Sequence, residues 1–252
     1  MIRDVGGSYR RALAETVHHY TAACGQGWRP DAATIDALKA EGRWNNDWDA
    51  SLELLRRRGL GSPGHPPLPA FDALVDVFSG HYFGGNPAGD PATWQGFIGS
   101  EPLLVETAFF TELSAAGLAW GFVSGAEPPS ARYVLEQRLG LEQPPLIAMG
   151  DAPDKPDPTG FLELAGRLLR NSGSALGAGA PPVAYLGDTV ADVLTVINAR
   201  QACPEQHFVA LAVAPPHLHG TPAARAAYEA KLIDAGADQV IASTTAVLAA
   251  LT

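Results

Sequence analysis

Cysteine is nearly absent: Cys24 and Cys203 are the two in 252 residues. That excludes a disulfide-stapled scaffold and a four-cysteine zinc site. Lysine stands only at positions 39, 155 and 231 while Ala and Arg are abundant, which points to a GC-rich coding sequence. No run approaches the roughly 18–20 apolar residues of a membrane helix, and no signal peptide opens the chain. There is no basic run, and the formal net charge is −10. Such a chain is a poor partner for nucleic acid or an anionic membrane. With 46% hydrophobic and 17% charged residues it reads as globular and not disordered. The expectation is a soluble, cytoplasmic protein of one or two domains with a sizeable core.

What is present is Gly and Pro, 27 and 21 of them, many in loops at 61–70, 84–94 and 171–182. The first 90 residues read as helical. Tyr9, Leu13, Val17 and Tyr20 line one face over 8–24, and Asp31 is the expected N-cap of a second helix. Further helices are expected over 49–58 and 70–83. The pattern then changes. Short apolar runs at 118–125, 145–150, 183–188, 207–214 and 239–243 alternate with helical segments. Strand–helix alternation predicts an α/β fold with a doubly wound, Rossmann-like parallel sheet, whose ligands sit at the carboxyl ends of the strands. The domains are read as an α-helical cap at 1–90 and a core at 91–252.

Three polar groups close three consecutive predicted strands. Ser124 ends the first, Lys155 lies just after the second, and Asp188 ends the third. Each alone has a bland reading: a turn serine, a solvated lysine, a loop aspartate. Together they suit a phosphorylated ligand. A hydroxyl and backbone N–H groups bind one phosphate oxygen, an ammonium neutralises another, and a carboxylate holds a hard cation such as Mg²⁺.

These residues also carry a family resemblance. VAYLGDTVAD (183–192), KPDP (155–158) and WGFVSG (120–125) resemble motifs IV, III and II of the haloacid dehalogenase-like hydrolases, in that order and strand context. The helical front part is similar to that superfamily's small cap. RDVGGSYRRA (3–12) and WNND (44–47) resemble a subgroup of capped, phosphatase-like members. The resemblance implies that Ser124 and Gly125 bind the transferring phosphoryl group and that Lys155 neutralises it. It implies that Asp188 is a Mg²⁺ ligand and that Asp192 assists metal or water placement. It implies Mg²⁺-dependent hydrolysis of a small phosphorylated metabolite through an aspartyl-phosphate. A dehalogenase is disfavoured, because halide displacement needs no metal site.

One departure matters. The family's first motif is a strand ending in Asp-x-Asp-Gly, which supplies the nucleophile and the general acid/base. Here Met1 falls where the residue after that motif would stand, and RDVGGSYRR resembles the family's segment on the cap side of that motif. Two expectations stand side by side. In one, the true start lies upstream and the complete protein is a phosphatase. In the other, the shortened chain is a non-catalytic phosphate-ligand binding or regulatory protein, or an interaction module. Either way, the segment as written is expected to leave two interior sheet edges open.

Other residues have weaker claims. His18 and His19 are adjacent on a helix and do not face one ligand. His217 and His219 lack a third ligand nearby. In Trp44–Trp48, Asn45 and Asn46 are read either as an Asx-type turn or as a cap loop touching substrate. Lys39 and Arg43 are read as solvated, Glu127 as shaping the loop after Ser124, and Asn198 and Arg200 as structural. The oligomeric state is left open.

Overall fold

The computed structural model describes residues 1–44 and 46–251. Two compact units divide the chain. One is Asp4–Pro102; the other joins Met1–Arg3 to the chain from Leu103 onward. The expected boundary at 90/91 therefore moves. Residues 84–102 fold back on the helical unit: Gly96 N donates to Phe83 O at 2.8 Å, and the rings of Phe83 and Trp94 meet edge to face at 4.6 Å. A methyl group at Gly96 would fall on the backbone of Tyr82 and Phe83, so this crossing needs glycine. Met1–Arg3 joins the other unit because Leu104 N donates to Ile2 O and Arg3 bridges Leu103 in antiparallel fashion.

The Asp4–Pro102 unit is helical: α1 (Tyr9–Ala23), α2 (Ala32–Lys39), α3 (Asp47–Arg57) and α4 (Phe71–Tyr82), with short 3₁₀ turns. Asp31 caps α2 as expected, accepting from Thr34 N at 2.8 Å. Leu13, Val17, Leu55, Leu74 and Phe78 are fully buried, as the helical spacing required. Glu101, buried too, accepts from the hydroxyls of Ser8 and Tyr82.

The second unit alternates strands and helices. Its strands are β1 (Phe122–Val123), β2 (Leu146–Ile147), β3 (Val183–Gly187), β4 (Phe208–Val213) and β5 (Gln239–Ile241). Its helices are α5 (Thr107–Ala115), α6 (Pro128–Arg132, continued by a π-helical Tyr133–Arg138), α7 (Thr159–Asn171), α8 (Val190–Ala202), α9 (Pro222–Asp234) and α10 (Val247–Leu251). Every strand pairing is parallel. Side chains alternate between two helix layers, as period-two strands must. Phe122, Ala184, Leu186, Leu211 and Val213 pack with Phe109, Phe110 and Val247. Val123, Val183, Tyr185, Phe208 and Ala210 pack with Phe161 and Val196. This is the doubly wound arrangement the alternation predicts.

The ladder comes in two pieces, β1–β2 and β3–β4–β5. Among the described residues no strand bonds β1 to β3. β4, paired on both sides, is almost wholly buried, whereas four of the five residues of β3 are only partly so. The first two strands are shorter than the apolar runs at 118–125 and 145–150. β1 has one bonded neighbour, and Leu118 N still closes the exit of α5 by donating to Leu113 O. Among the described residues no helix is long and apolar enough to cross a membrane.

Candidate functional site

The site is built on the carboxyl ends of β1 and β3 and on the turn into α8. Gly187 closes β3 without a side chain because Asp192 lies there; a methyl group would fall on the Cβ and Cγ of Asp192. Thr189 caps α8, accepting from Asp192 N at 3.2 Å. Asp192 completes the capping box, and its Oδ2 accepts from Asp188 N at 3.1 Å, Thr189 N at 3.0 Å and Thr189 Oγ1 at 2.8 Å. Its other oxygen, Oδ1, accepts from Lys155 Nζ at 2.6 Å and from Tyr185 OH at 3.2 Å. The carboxylate oxygens of Asp192 are thus both engaged within the protein.

Lys155, followed by a cis peptide to Pro156, reaches this carboxylate from the loop after β2. Burial works against its ammonium, but Asp192 outweighs burial and holds Lys155 charged well above the ordinary lysine pKa. Burial likewise pushes the Asp192 carboxyl up, yet Lys155 and the Thr189 hydrogen bond overcome it and bring the pKa down to about 2. Burial raises the Tyr185 phenol, which stays protonated. Lys155 Nζ has two acceptors among the described residues: Asp192 and, at 3.5 Å, Tyr185 OH.

Ser124 follows β1, and its N–H donates to Ile147 O at 2.8 Å. Its Oγ accepts from Ala126 N at 3.0 Å, which folds the turn and leaves the hydroxyl hydrogen free to donate. Gly125 beside it is exposed. Asp188 is held at its backbone, its carbonyl accepting from Tyr228 OH of α9 at 2.8 Å. Met1 lies here too. Its buried amino group is held below the ordinary value by desolvation, against the pull of Asp188 and Asp192.

The structure therefore brings together Lys155, Asp188 and Asp192, with β1 and its Ser124 tied in through Tyr185 OH and Val123 O at 3.4 Å. Asn46 lies in the other unit as the N-cap of α3, accepting from Trp48 N at 2.8 Å. Asn45 lies outside the described residues. Asn198 donates to Pro156 O at 2.9 Å and braces the lysine loop. Tyr185, Thr189 and Tyr228 escaped the sequence reading. Tyr185 carried a signal: it is the one polar side chain inside an apolar strand, two residues from Gly187 and so on the same face.

Among the described residues no cluster of three or more His, Cys, Asp or Glu is disposed to hold a metal. The carboxylates of the site are those of Asp192 and Asp188. That fits Mg²⁺, which takes one or two carboxylates and completes its shell with water and phosphate oxygens, better than a metal needing a full protein cage.

No family model and no curated protein matches the sequence. Solved structures do. A phosphatase from Thermococcus thioreducens is similar at 20% identity and a TM-score of 0.60, over 83% of this chain and 88% of that one. A phosphonoacetaldehyde hydrolase-like protein from Oleispira antarctica is similar at 14% identity and a TM-score of 0.65, over 100% of this chain and 87% of that one. A hydrolase of the HAD superfamily, subfamily IA, from Geobacter sulfurreducens is similar at 13% identity and a TM-score of 0.51, over 100% of this chain and 91% of that one. At these identities the likeness is one of architecture. The chain has the fold of the haloacid dehalogenase-superfamily hydrolases.

Proposed function

We propose that this chain carries the phosphoryl-binding part of a phosphatase-type site for a small phosphate monoester. The carrying observation is Lys155. An ammonium has three N–H donors, and Asp192 and Tyr185 take two of them. The third is left for an oxyanion, and Ser124 at the end of β1 is the second donor in this reading. Asp192 acts through Lys155, as the anion that keeps the ammonium charged and aimed. Asp188 would hold Mg²⁺, which when bound neutralises charge gathering on the phosphoryl oxygens.

The attacking group in this reading is a carboxylate on a strand preceding Met1, lying in the break between β1 and β3. Its oxygen attacks phosphorus, the P–O bond to the leaving group breaks, and the leaving oxygen takes up a proton. Water then cleaves the aspartyl-phosphate and releases inorganic phosphate. The edges of β1 and β3, unbonded to each other among the described residues, and the electrostatic reach of the Met1 amino group to Asp188 and Asp192 support that placement.

The test compares the 252-residue chain with one extended by the in-frame upstream codons, on an aryl phosphate with Mg²⁺. The extended chain is expected to turn over and the shorter one to bind inorganic phosphate without turnover. Mg²⁺-dependent turnover by the shorter chain would sink the upstream nucleophile. Phosphate binding with no turnover by either chain favours a phosphate-ligand binding protein instead.

A further inference from the structure

We propose that Tyr185 is a positioning residue that sets the direction of the Lys155 ammonium. The geometry stands by itself; its consequence for an anion rests on the phosphoryl-site reading above. β3 is otherwise apolar, VA-LG around Tyr185, and a phenylalanine would satisfy its packing. The ring sits against Phe161 of α7 at 5.1 Å, which fixes where the hydroxyl points. A phenol in such surroundings needs partners. Among the described residues its three partners belong to the site: Asp192 Oδ1 at 3.2 Å, Lys155 Nζ at 3.5 Å and Val123 O at 3.4 Å.

The hydroxyl has one hydrogen and two acceptors in reach, and it can accept from Lys155 at the same time. An ammonium tied to one acceptor can still swing about that hydrogen bond as the torsions of the lysine side chain change. Tied to two, it has its third N–H in one fixed direction. Asp192 supplies the nearest negative charge, to which Asp188 adds, and Tyr185 supplies the second point that stops the swing. The bond to Val123 O suggests a rival role, a strut between β1 and β3 with no bearing on the lysine. The two roles separate by coupling: a residue acting through Lys155 loses its effect once Lys155 is gone, and a strut does not.

The experiment uses the full chain with inorganic phosphate as the probe, titrated by phosphorus NMR, for the parent, Tyr185→Phe, Lys155→Gln and the double variant. Tyr185→Phe is expected to weaken phosphate about 3–10-fold, the effect of one hydrogen bond, and to cause no further loss beside Lys155→Gln. An unchanged affinity, or the same loss in both backgrounds, overturns the proposal. A second arm needs no anion. The acylation rate of Lys155 is read by mass spectrometry against Lys39 and Lys231 in the same molecule. It is expected to rise several-fold in Tyr185→Phe with the other two unchanged, and an unchanged Lys155 rate in the folded variant overturns the proposal. If the parent binds no phosphate, the phosphoryl-site reading fails, and the acylation arm still decides whether Tyr185 holds the lysine.

Discussion

Asp192 accepts five hydrogen bonds while buried at 4% exposure, and its partner Lys155 is partly buried. Removing one member of such a pair leaves the other charged and unpaired, which costs about 3–5 kcal/mol. Asp192→Asn should therefore destabilise the fold at neutral pH. Its pH dependence has a definite sign. The folded pKa of Asp192, about 2, lies below the ordinary 3.8. The stability it contributes is present above the unfolded value and is lost as pH falls from about 4 through about 2. The gap in unfolding free energy between parent and Asp192→Asn should be largest at pH 7 and shrink toward pH 2. Urea melts across that range measure it, and a constant gap would tell against the ion pair as its source.

At the scale of elements, the turn from β3 into α8 concentrates the constraints. Thr189 and Asp192 cap the helix reciprocally, and Gly187 gives the carboxylate its space. A methyl there cannot be accommodated without moving Asp192, and overpacking of that kind costs typically about 1–3 kcal/mol. Gly187→Ala should lower the melting temperature and raise the acylation rate of Lys155. Gly99→Ala is the contrast: a methyl there meets open space at an ordinary φ, so its effect should stay within about 0.5 kcal/mol. Equal melting temperatures for the two variants would remove the steric argument. The GD at the end of an apolar run was legible from sequence. The reason for the glycine was not, because its neighbour is Asp192, one helical turn beyond Asp188.

The whole molecule divides into a contiguous helical unit and a discontinuous α/β unit. Asp4–Pro102 buries its own core around Leu13, Leu55, Leu74, Phe78, Tyr82 and Phe83. A chain of residues 4–102 alone should fold, with helical circular dichroism and a cooperative melt. Loss of either would show that this core depends on the rest of the chain. Four of the five tryptophans, Trp28, Trp44, Trp48 and Trp94, fall in this unit, so its fluorescence reports its own unfolding. The α/β unit has the opposite character. Its first residues pair with Leu103 and Leu104, and among the described residues its ladder is open between β1 and β3, so an added strand there should raise its stability.

The sequence by itself determined the helical front and the alternation of strands and helices, and it marked Ser124, Lys155 and Asp188 as a candidate set. Those rest on periodicity and on polar residues closing apolar runs, which are local properties. Only the tertiary structure shows how Asp192 is held. Its type and spacing suit a metal ligand and a helix cap equally, and only the approach of Lys155 and Tyr185 from other elements shows its oxygens engaged. It alone also decided that the helical unit extends to Pro102, because the Gly84–Gly96 crossing joins segments that no local pattern pairs.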